Sequence, residues 1–265
     1  MFNERIGNTV YEVSHKKIGS PKSDVYQNHI HSFCEILLFI SGDADFNIDG
    51  QLYHPKPYDL FLIPSGTYHY IMPKETSPYE NYVIDFSPEI ISEKHVERIF
   101  TPPYKLNIRS DNEFIYFFKR LDTYREKYSD EDFAECSLAL IRELLVYCSY
   151  QPRIALSDTP HNKLVKNAVE YISENLTEPL NADIISKHLF ISASYLQNTF
   201  SEVMHIGLKQ YILQKKIYAA RADMEKSMTP GEACKKYQFN DYTGFYRLYK
   251  KHFGSAPKDI TNTDQ

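Results

Sequence analysis

The sequence has 265 residues, 42% apolar and 25% charged, with a net charge of −5, which is ordinary globular composition with room for two domains. It excludes a membrane-spanning chain, because no run approaches the roughly 18 uninterrupted apolar residues that a span requires. Four scattered cysteines, Cys34, Cys136, Cys148 and Cys234, exclude a paired-spacing zinc site or disulfide framework and fit a reducing compartment.

The opening residues carry Asn3, Glu4, Arg5 and Asn8 where a signal peptide needs a continuous apolar stretch, so a cytoplasmic location is expected. Up to about Phe86 the chain alternates short β-rich runs with turn residues. The runs are Glu35 to Ile40, Asp45 to Ile48, Asp59 to Ile63 and Asn81 to Phe86. Ser41-Gly42, Asp49-Gly50 and Pro64-Ser65-Gly66 punctuate them, and Asp49-Gly50 between Phe46-Asn47-Ile48 and Gln51-Leu52-Tyr53 predicts a tight hairpin. The pattern predicts a small antiparallel barrel or sandwich over 1–110.

Beyond Ile108 the apolar spacing becomes helical. Phe114, Phe117, Phe118, Leu121 and Tyr124, then Phe133, Leu138, Ile141, Leu144, Leu145 and Cys148, predict two amphipathic helices over 111–150. Their stripes fit a cap on the barrel and a dimer interface equally well. A segment holding Pro152, Ser157, Asp158 and Pro160 breaks the pattern and predicts a linker over 151–161.

From Asn162 onward there are 14 Lys plus Arg against 11 Asp plus Glu, a net +3, which leaves −8 for the first 161 residues. The asymmetry suits an acidic sensing module joined to a phosphate-binding one. This part reads as short helices. Asn181 and Ser192 are predicted N-caps, the second helix carrying Tyr195, Leu196, Phe200 and Val203 inward. A longer helix follows from about Leu208 to Lys226. Thr229-Pro230 opens another pair, Phe239-Asn240 makes its turn, and Asp241 starts a helix with Phe245, Leu248, Tyr249 and His252 on one face. The helix-turn-helix pattern thus occurs twice.

Phe239, Asp241, Phe245, Arg247, Tyr249, Lys250, Lys251, Gly254 and Pro257 stand at the spacing GFxDxxxFxRxFKKxxGxxP. Leu180, Leu189, Ser192, Tyr195, Leu196 and Phe200 match an earlier unit, and Tyr211, Lys216, Ala220 and Met224 a linker helix. On these residues the stretch from about Leu164 to Ile260 resembles the AraC/XylS DNA-binding domain. The resemblance implies two recognition helices. The second offers Thr243, Tyr246, Arg247, Lys250 and Lys251, with Arg247 suited to guanine O6 and N7 and the lysines to phosphate. The first offers Ser194, Gln197 and Asn198, with Ser201 and Glu202, and lacks the usual basic residues. Gln238 replaces the usual glycine of the second turn, costing about 1 kcal/mol if its φ is positive. Lys216 replaces an arginine.

The N-terminal part resembles the cupin superfamily through His29-Ile30-His31, Glu35 and Gly42, and through Pro64-Ser65-Gly66 with His69. That resemblance implies that His29, His31, Glu35 and His69 converge. Such a set suits Fe(II), Mn(II), Ni(II) or Zn(II), and equally a metal-free group of mutually hydrogen-bonded side chains. Tyr58 stands in place of the second motif's first glycine, and Pro73 in place of its asparagine. Phe39, Phe46, Tyr53, Tyr68 and Tyr82 are candidates either for an effector-pocket lining or for core.

The expected whole is an α+β chain of two domains. A cupin-like barrel senses a small molecule, with a sugar as the first class to test, and an all-α double helix-turn-helix over 162–265 binds promoter DNA. A homodimer is expected, with RNA polymerase as a further partner if the protein activates, and no membrane partner. Two alternatives stand beside this reading: a metal-dependent cupin enzyme fused to a DNA-binding tail, and a ligandless architectural binder.

Overall fold

The computed structural model describes residues 2–6, 9–21, 29–74, 77–102, 104–108, 112–154 and 160–262. The chain divides into two compact units: Met1–Gln27, Phe33–Phe46 and Tyr53–Ser157 form the first, and Asp158–Gln265 forms the second together with Asn28–Ser32 and Asn47–Leu52.

Antiparallel β structure dominates the first unit. Its strands are β1 (Phe2–Ile6), β2 (Thr9–Ile18), β3 (Cys34–Ser41), β4 (Ala44–Ile48), β5 (Gln51–Tyr53), β6 (Asp59–Ile63), β7 (His69–Pro73), β8 (Tyr79–Phe86) and β9 (Lys105–Asn107). A six-stranded sheet runs β1-β2-β8-β3-β6-β9 and a three-stranded sheet runs β5-β4-β7. All four predicted strands are present. β1, β2, β7 and β9 lie outside the predicted runs, β7 falling between two of them; β2, with His15, Lys16 and Lys17, is held by its eight-pair register with β8.

Directly opposed residues share a face of a sheet, so the registers assign the two sides. Leu38 faces Tyr82, and Ile36 faces Ile84. With Tyr11, Val13, Leu60 and Leu62 they are buried against α2 (Asn112–Lys127) and α3 (Asp130–Ser149), through Phe114, Phe118, Leu121, Ile141, Leu144 and Leu145. The helical stripes therefore pack on the sheet. Each such fully buried side chain contributes about 1.5–3 kcal/mol. On the opposite face, Phe61 of β6 meets the ring edges of Phe46 at 4.9 Å and Tyr53 at 5.1 Å, which packs the two sheets together. A further helix, α1 (Glu93–Ile99), follows β8.

Residues at the start of the predicted linker are tied to this unit: Arg153 bridges Leu106 and donates to the carbonyls of Arg98 (2.9 Å) and Ile99 (2.7 Å). The linker residues Ser157 and Asp158 lie outside the described residues.

The second unit is helical: α4 (Pro160–Glu174), α5 (Ala182–His188), α6 (Ala193–Met204), α7 (Leu208–Glu225), α8 (Pro230–Lys236) and α9 (Tyr242–Phe253). Every predicted cap is made. Asn181 accepts from Ile184 N (2.9 Å), Ser192 from Tyr195 N (3.2 Å) and Asp241 from Gly244 N (2.7 Å). Thr229 and Glu232 form a reciprocal capping box. Each cap is worth about 1 kcal/mol and sets where its helix begins.

Candidate nucleic-acid interface and effector site

In α9 the apolar residues at i and i+4, Phe245 and Tyr249, are fully buried beside Ile217, Ala220 and Met224 of α7. That anchorage fixes the rotation of the helix. Thr243, Arg247, Lys250 and Lys251 are left exposed, and Tyr246 half-buried. Lys250, Lys251 and His252 stand in its last turn, where cations meet the negative end of the helix dipole. Burial and the neighbouring Lys251 charge hold the His252 imidazole below its ordinary pKa.

Leu196, Thr199, Phe200 and Met204 anchor α6, leaving Ser194, Gln197, Asn198, Ser201 and Glu202 exposed. This face bears amides and hydroxyls, which can pair with base edges, and one carboxylate, which repels phosphate. Tyr195, predicted to point inward, is 46% exposed. The correction follows from helix geometry: Leu196 and Phe200, four apart, define the buried stripe, and Tyr195 falls outside it.

α7 joins the two helix-turn-helix motifs. The buried Lys216 ammonium donates to the Glu178 carbonyl (2.9 Å), and burial lowers its pKa. The family's arginine is thus replaced by a side chain that holds the turn between α4 and α5.

Two departures from glycine keep glycine's conformation, and a third residue shares it. Tyr58 has φ 68° and Gln238 φ 56°, while Phe190, at the equivalent turn of the first unit, has φ 57° and is 95% exposed. Nothing in the sequence pattern singled out Phe190. The Asp49-Gly50 turn has φ 45° and 86°, the two positive values a type I′ hairpin demands.

Of the four predicted ligands, His29 and His31 belong to the second unit, their ring centroids 5.5 Å apart, and Glu35 and His69 belong to the first. His69 and Glu35 are buried, with Nε2 3.4 Å from Oε2. Nδ1 of His69 stands 3.0 Å from the Thr67 carbonyl. A carbonyl only accepts, so Nδ1 is the donor there, and Nε2 is the nitrogen turned toward Glu35. As donor types, three imidazoles and a carboxylate suit a divalent cation.

The five candidate aromatics are all buried, at 5% exposure or less. Phe46 lies between Phe61 and His69, its ring edge-on to His69 at 6.4 Å; Tyr53 packs on Phe61 and Tyr68 on Tyr70. Tyr82 departs from the expectation. Paired with Leu38, it lies on the opposite face of the sheet from Phe39, because successive residues alternate. It stacks on His15 at 3.7 Å, packs on Phe118 and donates its hydroxyl to Asp122. His15 in turn bonds Asp122 (3.1 Å) and Glu80 (2.8 Å), a polar seam joining β2, β8 and α2. The sequence reading missed this seam, since its members are 107 and 65 residues apart.

Two family models match the chain: an AraC-like ligand binding domain over residues 19–161 and a helix-turn-helix domain over residues 185–263. The regulatory protein SoxS of Salmonella typhimurium is 27% identical over 100 residues, covering 37% of this chain and 94% of SoxS. The melibiose operon regulatory protein of Escherichia coli is 27% identical over 104 residues, 38% of this chain and 34% of that protein. The uncharacterised regulator YdiP of Escherichia coli is 20% identical over 241 residues, 88% of this chain and 80% of YdiP. Among solved structures, ToxT of Vibrio cholerae with bound unsaturated fatty acid aligns over 97% of this chain and 96% of its own, at 12% identity and a TM-score of 0.42.

Proposed function

Since the chain belongs to the AraC/XylS family of transcription regulators, we propose that it controls promoters by sequence-specific binding through α6 and α9, under the command of a small molecule taken up by its N-terminal domain. The observation that carries this reading is the exposed basic face of α9, set by the burial of Phe245 and Tyr249. A recognition helix needs such a fixed rotation to enter the major groove.

Residue roles follow from donor chemistry. Arg247 pairs with guanine, Lys250 and Lys251 contact phosphate, and Thr243 and Tyr246 flank them. Gln197 and Asn198, with Ser194, read adenine edges through α6. In this arrangement α6 specifies more than it anchors, and α9 does both. Carbohydrate is the first effector class to test, because the domain that would take up the effector is rich in aromatic side chains, the kind that stack on sugars. Two copies bound together would multiply phosphate contacts, and an effector would act by favouring one arrangement of them. If the protein activates its promoters, RNA polymerase is its further partner. Among the described residues no helix is long and apolar enough to cross a membrane, and a protein that binds chromosomal DNA works in the cytoplasm.

A second reading is favoured by the His29, His31, Glu35 and His69 set: this group holds a divalent cation, with His69 contributing Nε2. Bound there, the cation would offer an open position to an effector. Metal content of protein purified without a histidine tag decides between this and a metal-free polar cluster. A stoichiometric redox-active iron would move the reading to an enzyme fused to a DNA-binding domain; the function supported here is regulation without catalysis.

The test is binding to the promoter region beside the protein's own gene, as a salt series with random competitor DNA. Tight, competitor-resistant binding is expected. Binding no stronger than to random DNA, with and without candidate effectors, overturns the proposal.

A further inference from the structure

Residues 47–52, which comprise the end of β4, the Asp49-Gly50 turn and the start of β5, belong to the second unit, and they approach three of its helices. Asn47 is fully buried. Its Oδ1 accepts from Gly50 N (2.9 Å), which closes the turn, and its Nδ2 donates to the Val203 carbonyl (3.1 Å). Val203 lies in the last turn of α6, where carbonyls have no partner within the helix. Asp49 accepts from the buried Tyr211 hydroxyl (2.9 Å) and lies 3.5 Å from Lys215 Nζ, both on α7. Gly50 allows this approach: a Cβ there would stand 2.9 Å from Val165 of α4 and 3.6 Å from Met204 Sδ of α6.

One turn therefore holds the C-terminal end of α6 and the N-terminal half of α7 together. Between these helices the Phe200 and Tyr211 rings also pack, 5.2 Å apart. A shift of α6 about its own axis would swing Gln197 and Asn198 away from the base edges they address, and amide pairing tolerates little misalignment. We infer that Asp49 is a positioning residue for the first recognition helix: through Tyr211 and Lys215 it fixes the orientation of α6, and so governs discrimination at the bases that α6 reads, without touching DNA. The inference rests on the reading of α6 as a base-contacting helix.

The test uses the full chain and the promoter DNA, with each base pair changed singly and the affinity penalty measured. Penalties lost in a Gln197→Ala, Asn198→Ala double variant define the bases read by α6, and those lost in Arg247→Ala the bases read by α9. Asp49→Gly suits the backbone, since φ is 45°. It is expected to reduce the α6 penalties by about fivefold or more while leaving the α9 penalties within about twofold. Asp49→Asn keeps an acceptor for Tyr211 and is expected to restore part of the loss, which a role in stability alone would not produce. Unchanged α6 penalties in Asp49→Gly, or equal loss at both sets of bases, overturn the inference while leaving α6 a reader. A double variant that loses no penalty overturns the reading of α6, and the inference with it.

Discussion

Phe190 and Gln238 hold the same left-handed backbone, φ 57° and 56°, each one residue past the C-cap of the first helix of its helix-turn-helix. In both turns the next N–H reaches back to the same helical position, Ile191 to Ser186 O (3.0 Å) and Phe239 to Cys234 O (3.1 Å). This is the Schellman ending, whose pivotal residue is ordinarily glycine. Phe190 and Gln238 are exposed and give up little packing, so Phe190→Gly and Gln238→Gly are each expected to stabilise the chain by about 0.5–1 kcal/mol, the relief of φ strain exceeding the added unfolded-state entropy. A guanidinium unfolding midpoint that falls in either variant contradicts this.

Gly50 presents the opposite case. Its φ is 86° and the space beside it is filled by Val165. Gly50→Ala is expected to cost about 1–3 kcal/mol through backbone strain and displacement of α4, read as a lowered thermal midpoint. Gly231→Ala, where nothing lies within 4 Å of the added Cβ, serves as the control and should leave the midpoint unchanged or raised.

On α9 the two kinds of contact separate experimentally. Arg247→Ala is expected to reduce discrimination between the promoter and single-base variants by about 1–3 kcal/mol at the bases it reads. Lys251→Ala should weaken binding to all sequences alike and flatten the salt dependence by about one unit of slope. Equal losses on every sequence in both variants would refute the assigned roles.

Asp223 gives a pH signature. Burial works to raise its pKa, but hydrogen bonds from Lys236 (2.6 Å) and Tyr237 (2.7 Å) outweigh that, and the carboxyl is held below its ordinary range. A depressed folded-state value means stabilisation that is present above the unfolded pKa of about 3.9 and is lost as pH falls through the folded one. Asp223→Asn should therefore unfold at a lower temperature than the parent at pH 7, with the gap narrowing as pH falls below the unfolded value and through the depressed folded one. A gap constant across that range would show that Asp223 acts through something other than its charge.

Local chemistry was legible in the chain itself. Asn181, Ser192, Thr229 and Asp241 cap helices because a short polar side chain bonds a backbone N–H three residues on, an interaction needing nothing distant. Asp49-Gly50 turns for the same kind of reason, as does the stripe of Phe245 and Tyr249 that rotates Arg247 outward.

Tertiary structure decided whatever depended on partners far along the chain. β2 is a strand because β8 pairs with it. Tyr82 turns toward α2 and away from Phe39 because the register with Leu38 sets its face. Asp49 acts on α6 because Tyr211, 162 residues later, meets it. Such pairings leave no periodic trace in the sequence, since each depends on packing between segments whose separation along the chain carries no information about their distance in space.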